Sequence, residues 1–296
     1  MKNAMDAIKN LTFGTELEYT GIKREVAARE IQKVVGGTVR YAGTCYKTWE
    51  VKAADGRIWK AMIDASLGLG GGCEVVTPVL KYEDMEILQE VVRTIRKAGA
   101  KTPTCTSQHV HVGVGDLTAE QIANTAKIFY KQENLILKAV ATLPERLEHY
   151  TKPTDKNFID KISKKKPADK TELNKAWFGY ENPNPMHYDS NRYRDLNLNN
   201  VWRTGTIEFR LFNGTTHAGE VKANITLALA IVAKGAAARA TSAKNKREYN
   251  EKSAKYDMRV FLLGLGLIGE EFKTARMHLL KRLPGDTAWK NGRQAA

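Results

Sequence analysis

Three short stretches of this 296-residue chain each set two chemically active side chains two residues apart around an apolar one. They are Glu16-Leu17-Glu18, His109-Val110-His111 and Glu208-Phe209-Arg210. In a β-strand, residues i and i+2 face the same side. If the three are strands of one sheet, Leu17, Val110 and Phe209 bury against helices. The opposite face then carries three carboxylates, two imidazoles and a guanidinium. Like charges gathered this way repel unless counter-charge offsets them. Divalent cations and an anionic ligand would neutralise the face, which is the layout of a metal-dependent site acting on phosphates. On the same reasoning, removing Glu16 or Glu208 is expected to leave stability unchanged or raised.

The surrounding pattern supports a sheet. Residues 13–20 alternate as a strand, and 23–35 repeat apolar positions near helical spacing until Gly36-Gly37 stops them. Short β segments are expected at 38–42, 46–53 and 57–63, the last two joined by an Ala54-Asp55-Gly56 turn. Gly68-Leu69-Gly70-Gly71-Gly72 reads as a flexible connection and matches no phosphate-loop pattern. A strand at 73–77 closes at Pro78, and 82–98 form an amphipathic helix. After a strand at 109–114, Thr118-Ala119-Glu120-Gln121 is a capping box opening a helix to about Thr142. Strands return at 194–200 and 205–213, then a helix at 218–242. Residues 144–192, rich in lysine and broken by proline, read as a loosely packed polar insertion with some helix, of the kind that serves as a lid. Hairpins with inserted helices predict an α+β fold: a mainly antiparallel sheet with helices on one face.

Composition narrows the class. With 42% apolar and 8% aromatic residues the chain is globular. No apolar run approaches the ~18 residues that span a bilayer, and the first residues lack a secretory signal pattern. Three cysteines without CxxC spacing predict a reducing cytoplasm rather than a disulfide framework. The +14 net charge invites a polyanion. The basic residues form no single stripe, so nucleic acid is not favoured.

Individual signals are weaker than their sum. Glu16 and Glu18 would sit about 6.5–7 Å apart along a strand, enough to hold different sides of a two-metal cluster with ions about 3.5–4 Å apart. Their plainer reading is a pair of solvated acids. Two histidines on one face suggest one metal ligand and one phosphate contact, although no third ligand lies nearby in sequence. Glu74 follows the glycine-rich loop, and Asp64-Ala65-Ser66 reads as a turn. Arg192, Arg194, Arg203 and Arg210 cluster around Leu196-Asn197-Leu198-Asn199. Arg210 lies in an apolar strand and needs a carboxylate or phosphate partner there.

Taken in order, Phe13 to Glu18, Trp59 to Leu67, Glu74 to Pro78, His109 to Val112, Arg194 to Leu198, Gly205 to Arg210 and Gly214-Thr215 resemble the amidoligase family, within the glutamine synthetase and glutamate–cysteine ligase superfamily. The resemblance covers about residues 11–240. It implies a curved antiparallel sheet like the glutamine synthetase catalytic domain, helices on its outer face, and ATP with two or three magnesium ions on its concave face. It implies ATP-dependent joining of a small-molecule or peptide carboxylate to an amine through an acyl phosphate. By position, Glu16, Glu18 and Glu74 match metal ligands. One of His109 and His111, with Glu208, matches the ligands of the ion bridging the γ-phosphate. Arg210 and Arg194 match phosphate-binding arginines with catalytic roles, and His111 and Asn197 fall among the nucleotide-binding positions. The expected organisation is a catalytic unit at 1–243, containing the 144–192 insertion, and a basic helical extension at 244–296. An acidic acceptor would be drawn to the insertion's lysines. The rivals are a magnesium-dependent phosphoesterase or nuclease using the same groups, and a basic binding module without catalysis.

Overall fold

The computed structural model describes residues 2–64, 67–68, 72–243 and 245–290. Ala65-Ser66 and positions 69–71 of the glycine-rich connection lie outside the described residues. The strands are β1 (Thr12–Tyr19), β2 (Thr38–Tyr41), β3 (Trp49–Lys52), β4 (Ile58–Met62), β5 (Cys73–Val76), β6 (Leu80–Lys81), β7 (Ser107–Gly113), β8 (Leu196–Asn197) and β9 (Thr206–Asn213). The helices are α1 (Lys2–Asn10), α2 (Arg24–Val35), α3 (Met85–Lys97), α4 (Ala119–Val140), α5 (Pro144–His149), α6 (Lys156–Lys164), α7 (Lys170–Phe178), α8 (Ala218–Ala237), α9 (Ala254–Gly264) and α10 (Lys273–Leu280). The fold is α+β. One open antiparallel sheet runs β2-β3-β4-β5-β1-β7-β9-β8, with β6 pairing the start of β1.

Alternation puts Phe13, Leu17, Tyr19, Val110, Val112, Ile207 and Phe209 in the core. Helices α3, α4 and α8 complete that core. Helix α8 is apolar nearly all round (Ala-Asn-Ile-Thr-Leu-Ala-Leu-Ala-Ile-Val-Ala), so it has little to offer water and is buried along most of its length. It meets α4 closely at Gly235, where an added Cβ would lie 2.7 Å from both Cα and N of Thr125. Neither backbone atom can swing aside. Gly235→Ala is therefore expected to destabilise by about 1–3 kcal/mol despite its better helix propensity, as read by denaturant unfolding.

Register decides which polar groups meet. Glu16 stands opposite His109, His111 opposite Glu208, and Glu18 opposite Glu74. Between Gln108 and Val110 two steps of β7 span three of β9, from Phe209 to Phe212. That bulge falls beside Arg210 and re-aims the strand there.

Two expectations are corrected. Residues 144–192 do not pack loosely: Phe158, Ile159, Ile162, Leu173 and Trp177 are buried, and the Phe158 and Trp177 rings meet edge to face at 4.9 Å. The apolar stripe at 158, 159 and 162 is hidden among lysines that stay on the wet face. The strand expected at 194–200 shrinks to Leu196–Asn197, because the chain turns at Asn199–Val201. Cys45, Cys73 and Cys105 are unpaired. No helix among the described residues is long and apolar enough to cross a membrane.

Candidate active site

The polar sides of β1, β5, β7 and β9 bring the acids together in two groups. In the first, donor atoms of Glu16, His111 and Glu208 all lie within 4.8 Å of one another. In the second, donor atoms of Glu18, Asp64 and Glu74 do the same. Asp64 lies just beyond the end of β4, next to the antiparallel partner β5 that carries Glu74.

His109 sits between the groups, and both its ring nitrogens are occupied. Nδ1 is 2.9 Å from Glu16 Oε2, and Nε2 is 3.0 Å from the Ser107 hydroxyl. His111 is different. Its Nδ1 contacts the Thr206 hydroxyl at 3.3 Å, while its buried Nε2, 3.3 Å from Glu16 Oε1, has no well-directed hydrogen bond. An orphaned imidazole nitrogen among carboxylates is a donor atom suited to a cation, so His111 rather than His109 belongs to the first group.

Glu208 is the most heavily held of the acids. Its Oε2 accepts from Asn197 Nδ2 at 2.6 Å and Asn200 Nδ2 at 2.8 Å, and its Oε1 accepts from Arg210 Nη1 at 2.5 Å. Burial alone would raise its pKa, but Arg210 and then the two imidazoles outweigh it and hold the carboxyl at about 2. Glu16 keeps a 29% exposed side chain. Burial opposes its ionisation too, and His111 and His109 still hold it well below the usual carboxylate range.

The second group behaves oppositely. Burial and then Asp64 push Glu18 up to about 7, although Ser107 donates to it through backbone N–H (2.8 Å) and hydroxyl (2.5 Å). Burial, then Glu16, Asp64 and Glu18, push Glu74 well above the ordinary range. The first group thus lies beside Arg210 and two imidazoles that favour its carboxylates, whereas in the second burial and neighbouring acids favour the protonated forms of Glu18 and Glu74.

A cleft of about 390 Å3 opens on the first group. Its lining combines apolar Phe13, Val76, Pro78 and Val79 with Glu16, His111, Glu208, His187, Arg192 and Arg203. Arg192 lies over the rings of Tyr188 (5.7 Å) and Tyr193 (5.6 Å), and Arg203 Nη1 donates to Asn200 Oδ1 at 3.0 Å. Neither is ion-paired with a carboxylate among the described residues. Burial and then the two arginines lower the pKa of His187.

The sequence-derived set is thus sorted by the fold. Glu16, Glu18, Glu74, His109, His111, Glu208, Arg210 and Asn197 gather on one region of the sheet. Asn197 lines the cleft, but its side chain is spent on holding Glu208. Arg194 is not brought to the cleft: Nη1 donates to the Pro153 carbonyl at 2.9 Å, and Nη2 lies 3.6 Å from Asp155. Arg192 and Arg203 stand where Arg194 was expected. Sequence reasoning also missed Asp64, Asn200 and Arg146. The last is buried, donates to the Arg210 carbonyl at 2.7 Å and is drawn toward Glu18, yet burial still pulls its pKa down to about 10. It sits in the segment read as an insertion, where no spacing signal marks it.

The family model described as "Putative amidoligase enzyme" matches residues 9–232. Among solved structures the chain is similar to a bifunctional glutathione synthetase from Pasteurella multocida, at 12% identity and a TM-score of 0.44, covering 95% of this chain and 48% of that one. The chain therefore spans about half the length of that relative. No curated protein matches the sequence.

Proposed function

The chain belongs to the amidoligase family, and from that premise we propose that it is a carboxylate–amine ligase that forms an amide with ATP through an acyl phosphate. The observation that carries this reading is the pair of acidic groups on one sheet face, one of them opening into a cleft with two arginines that have no carboxylate partner among the described residues. We read the open sheet as a glutamine synthetase-like catalytic domain occupying 1–243, with 244–296 as an extension, in a reducing cytoplasm.

The donor set fits hard divalent cations such as magnesium, being mostly carboxylate oxygen with the unpartnered His111 Nε2. Glu16, His111 and Glu208 would hold one ion and Glu18, Asp64 and Glu74 another, and such ions supply positive charge to phosphate oxygens. Arg192 and Arg203 bind the phosphates and stabilise charge that develops as the substrate carboxylate attacks the γ-phosphorus. Arg210 keeps Glu208 ionised and in place. Phe13, Val76 and Pro78 receive the flat or apolar part of a ligand. His187, held neutral at the cleft, takes the proton of the attacking amine as the amide forms and phosphate leaves. The loop carrying His187 and Arg192 shields the acyl phosphate from water.

Arg192→Ala and Arg203→Ala are each expected to raise the KM for ATP about tenfold or more, the loss of a charge-assisted contact. Arg194→Ala should leave it within about twofold, since its partners are the 153–155 segment. Steady-state kinetics checks both. The reading itself is tested by incubating the protein with ATP, magnesium and pooled amino acids and peptides, then searching by mass spectrometry for a product lighter by one water than its parts. Cleavage of nucleic acid without ATP, or ATP hydrolysis indifferent to the pool, would replace it with a phosphoesterase.

A further inference from the structure

A second buried acidic pair plays no part in the reaction above. Glu133 on α4 and Asp195, just ahead of β8, are both 0% exposed. Thr154 bridges them: its N–H donates to Glu133 Oε1 and its hydroxyl to Asp195 Oδ1, each at 2.8 Å. The Leu196 N–H donates to the same Oδ1 at 2.8 Å. Asp195 Oδ2 is buried with no donor, and burial and then the Glu133 carboxylate push Asp195 well above the usual range.

Among the described residues, the cation that reaches this pair is Lys246. It donates to Glu133 Oε2, and its Nζ lies 4.4 Å from the Tyr130 ring centroid. Its neighbour is pinned to the same helix. The Arg247 N–H donates to the Lys131 carbonyl at 2.9 Å, Asn134 Nδ2 donates to the Arg247 carbonyl at 3.2 Å, and Arg247 pairs with Asp257 at 2.6 Å. This stretch follows residue 232, where the family match ends.

The acidic pair is also tied to the site. The Asp195 carbonyl accepts the Arg210 N–H at 2.9 Å, and its N–H donates to the Lys152 carbonyl at 2.9 Å. Two residues on, Asn197 holds Glu208. The seating of β8 on β9 therefore hangs from Asp195.

We propose that Lys246 and Glu133 form a positioning latch, by which the chain beyond α8 neutralises a buried carboxyl pair and so fixes β8, Asn197 and the Glu208–Arg210 rung. The link to catalysis rests on the ligase reading. Without the lysine, two carboxyl groups share a dry pocket and must either take up a proton against the bulk pH or open locally toward water. Opening there unseats β8.

The test is hydrogen exchange on the full chain, with ATP affinity in the presence of magnesium as the second readout. It compares Lys246→Met, Lys246→Arg and the double variant Lys246→Met/Glu133→Gln. In Lys246→Met, amides of β8 and β9 should exchange about tenfold faster while those of α2 and β3 do not change. ATP affinity should fall about tenfold. Lys246→Arg and the double variant, which removes both charges and keeps the acceptor for Thr154, should restore both. Unchanged exchange in β8 and β9, acceleration spread over the whole chain, or failure of both rescues would overturn the latch. Faster exchange with unaltered ATP affinity would reduce Lys246 to a structural tie and overturn its positioning role. If the wild-type protein bound no ATP, the ligase reading would fall, and the exchange data would still decide the latch.

Discussion

Glu208→Gln is expected to reduce turnover about a thousandfold and to destabilise the fold at once. The activity loss follows from removing a group that would hold one side of the proposed cation site and that keeps Arg210 in place, in a setting where single charged or polar groups are worth about a hundred- to a thousandfold. The stability loss follows from the donors around it. Asn197, Asn200 and Arg210 all donate to this carboxylate. A glutamine amide turns one acceptor into a donor and leaves the Arg210 guanidinium buried without its counter-charge. Breaking a buried pair by removing one partner costs about 3–5 kcal/mol. Simple relief of like charge, expected when the acids are viewed as one repulsive set, is therefore wrong for Glu208. The pH dependence has a definite sign. A carboxyl lowered from 4.5 to about 2 contributes stability that is complete above its unfolded pKa and is lost as pH falls through that window. The variant's stability should accordingly be flatter between about pH 5 and 2.

Glu74→Gln is expected to have the opposite effect on stability and a similar one on turnover. Glu74 is half-buried beside Glu16, Asp64 and Glu18, and its loss of solvent and these neighbours raise its pKa. A carboxyl raised on folding binds its proton more tightly in the folded state, so it weakens the fold as pH rises past its unfolded value. Removing the charge should raise stability at pH 7, measured with a chelator present, by about 1 kcal/mol or more. Added magnesium should stabilise the wild-type protein by mass action and the variant much less. Denaturant unfolding of the two proteins with and without magnesium reads all of this. A loss of stability in Glu74→Gln under chelation would mean that the second group is a structural network and not a cation site.

The shared face of Glu16, Glu18, His109, His111, Glu208 and Arg210 was legible because a strand alternates with period two. The burial of Leu17, Val110 and Phe209 is the other half of that signal. What alternation cannot supply is register. Both histidines share the face, and only the pairing of β1 with β7 spends His109 on Glu16 and Ser107 and leaves His111 Nε2 open. Asp64 reads as a turn residue until the β4–β5 pairing brings it beside Glu74. Arg194 was expected at the phosphates from its position in the family resemblance, but the fold turns it toward Pro153 and Asp155, and short turns at Ser190–Arg192 and Asn199–Val201 bring Arg192 and Arg203 to the cleft. Lys246 and Glu133 are 113 residues apart, beyond the reach of any local pattern.

The central claim is that a substrate carboxylate is activated by phosphoryl transfer before an amine attacks it. The most direct measurement supplies ATP, magnesium and a pool of amino acids and peptides whose carboxylates carry heavy oxygen, and follows that label by mass spectrometry. Attack of a carboxylate oxygen on the γ-phosphorus leaves that oxygen on phosphate when the amide forms. The account predicts one heavy oxygen in each released phosphate, matched mole for mole by a condensed product. Phosphate released without label would contradict it.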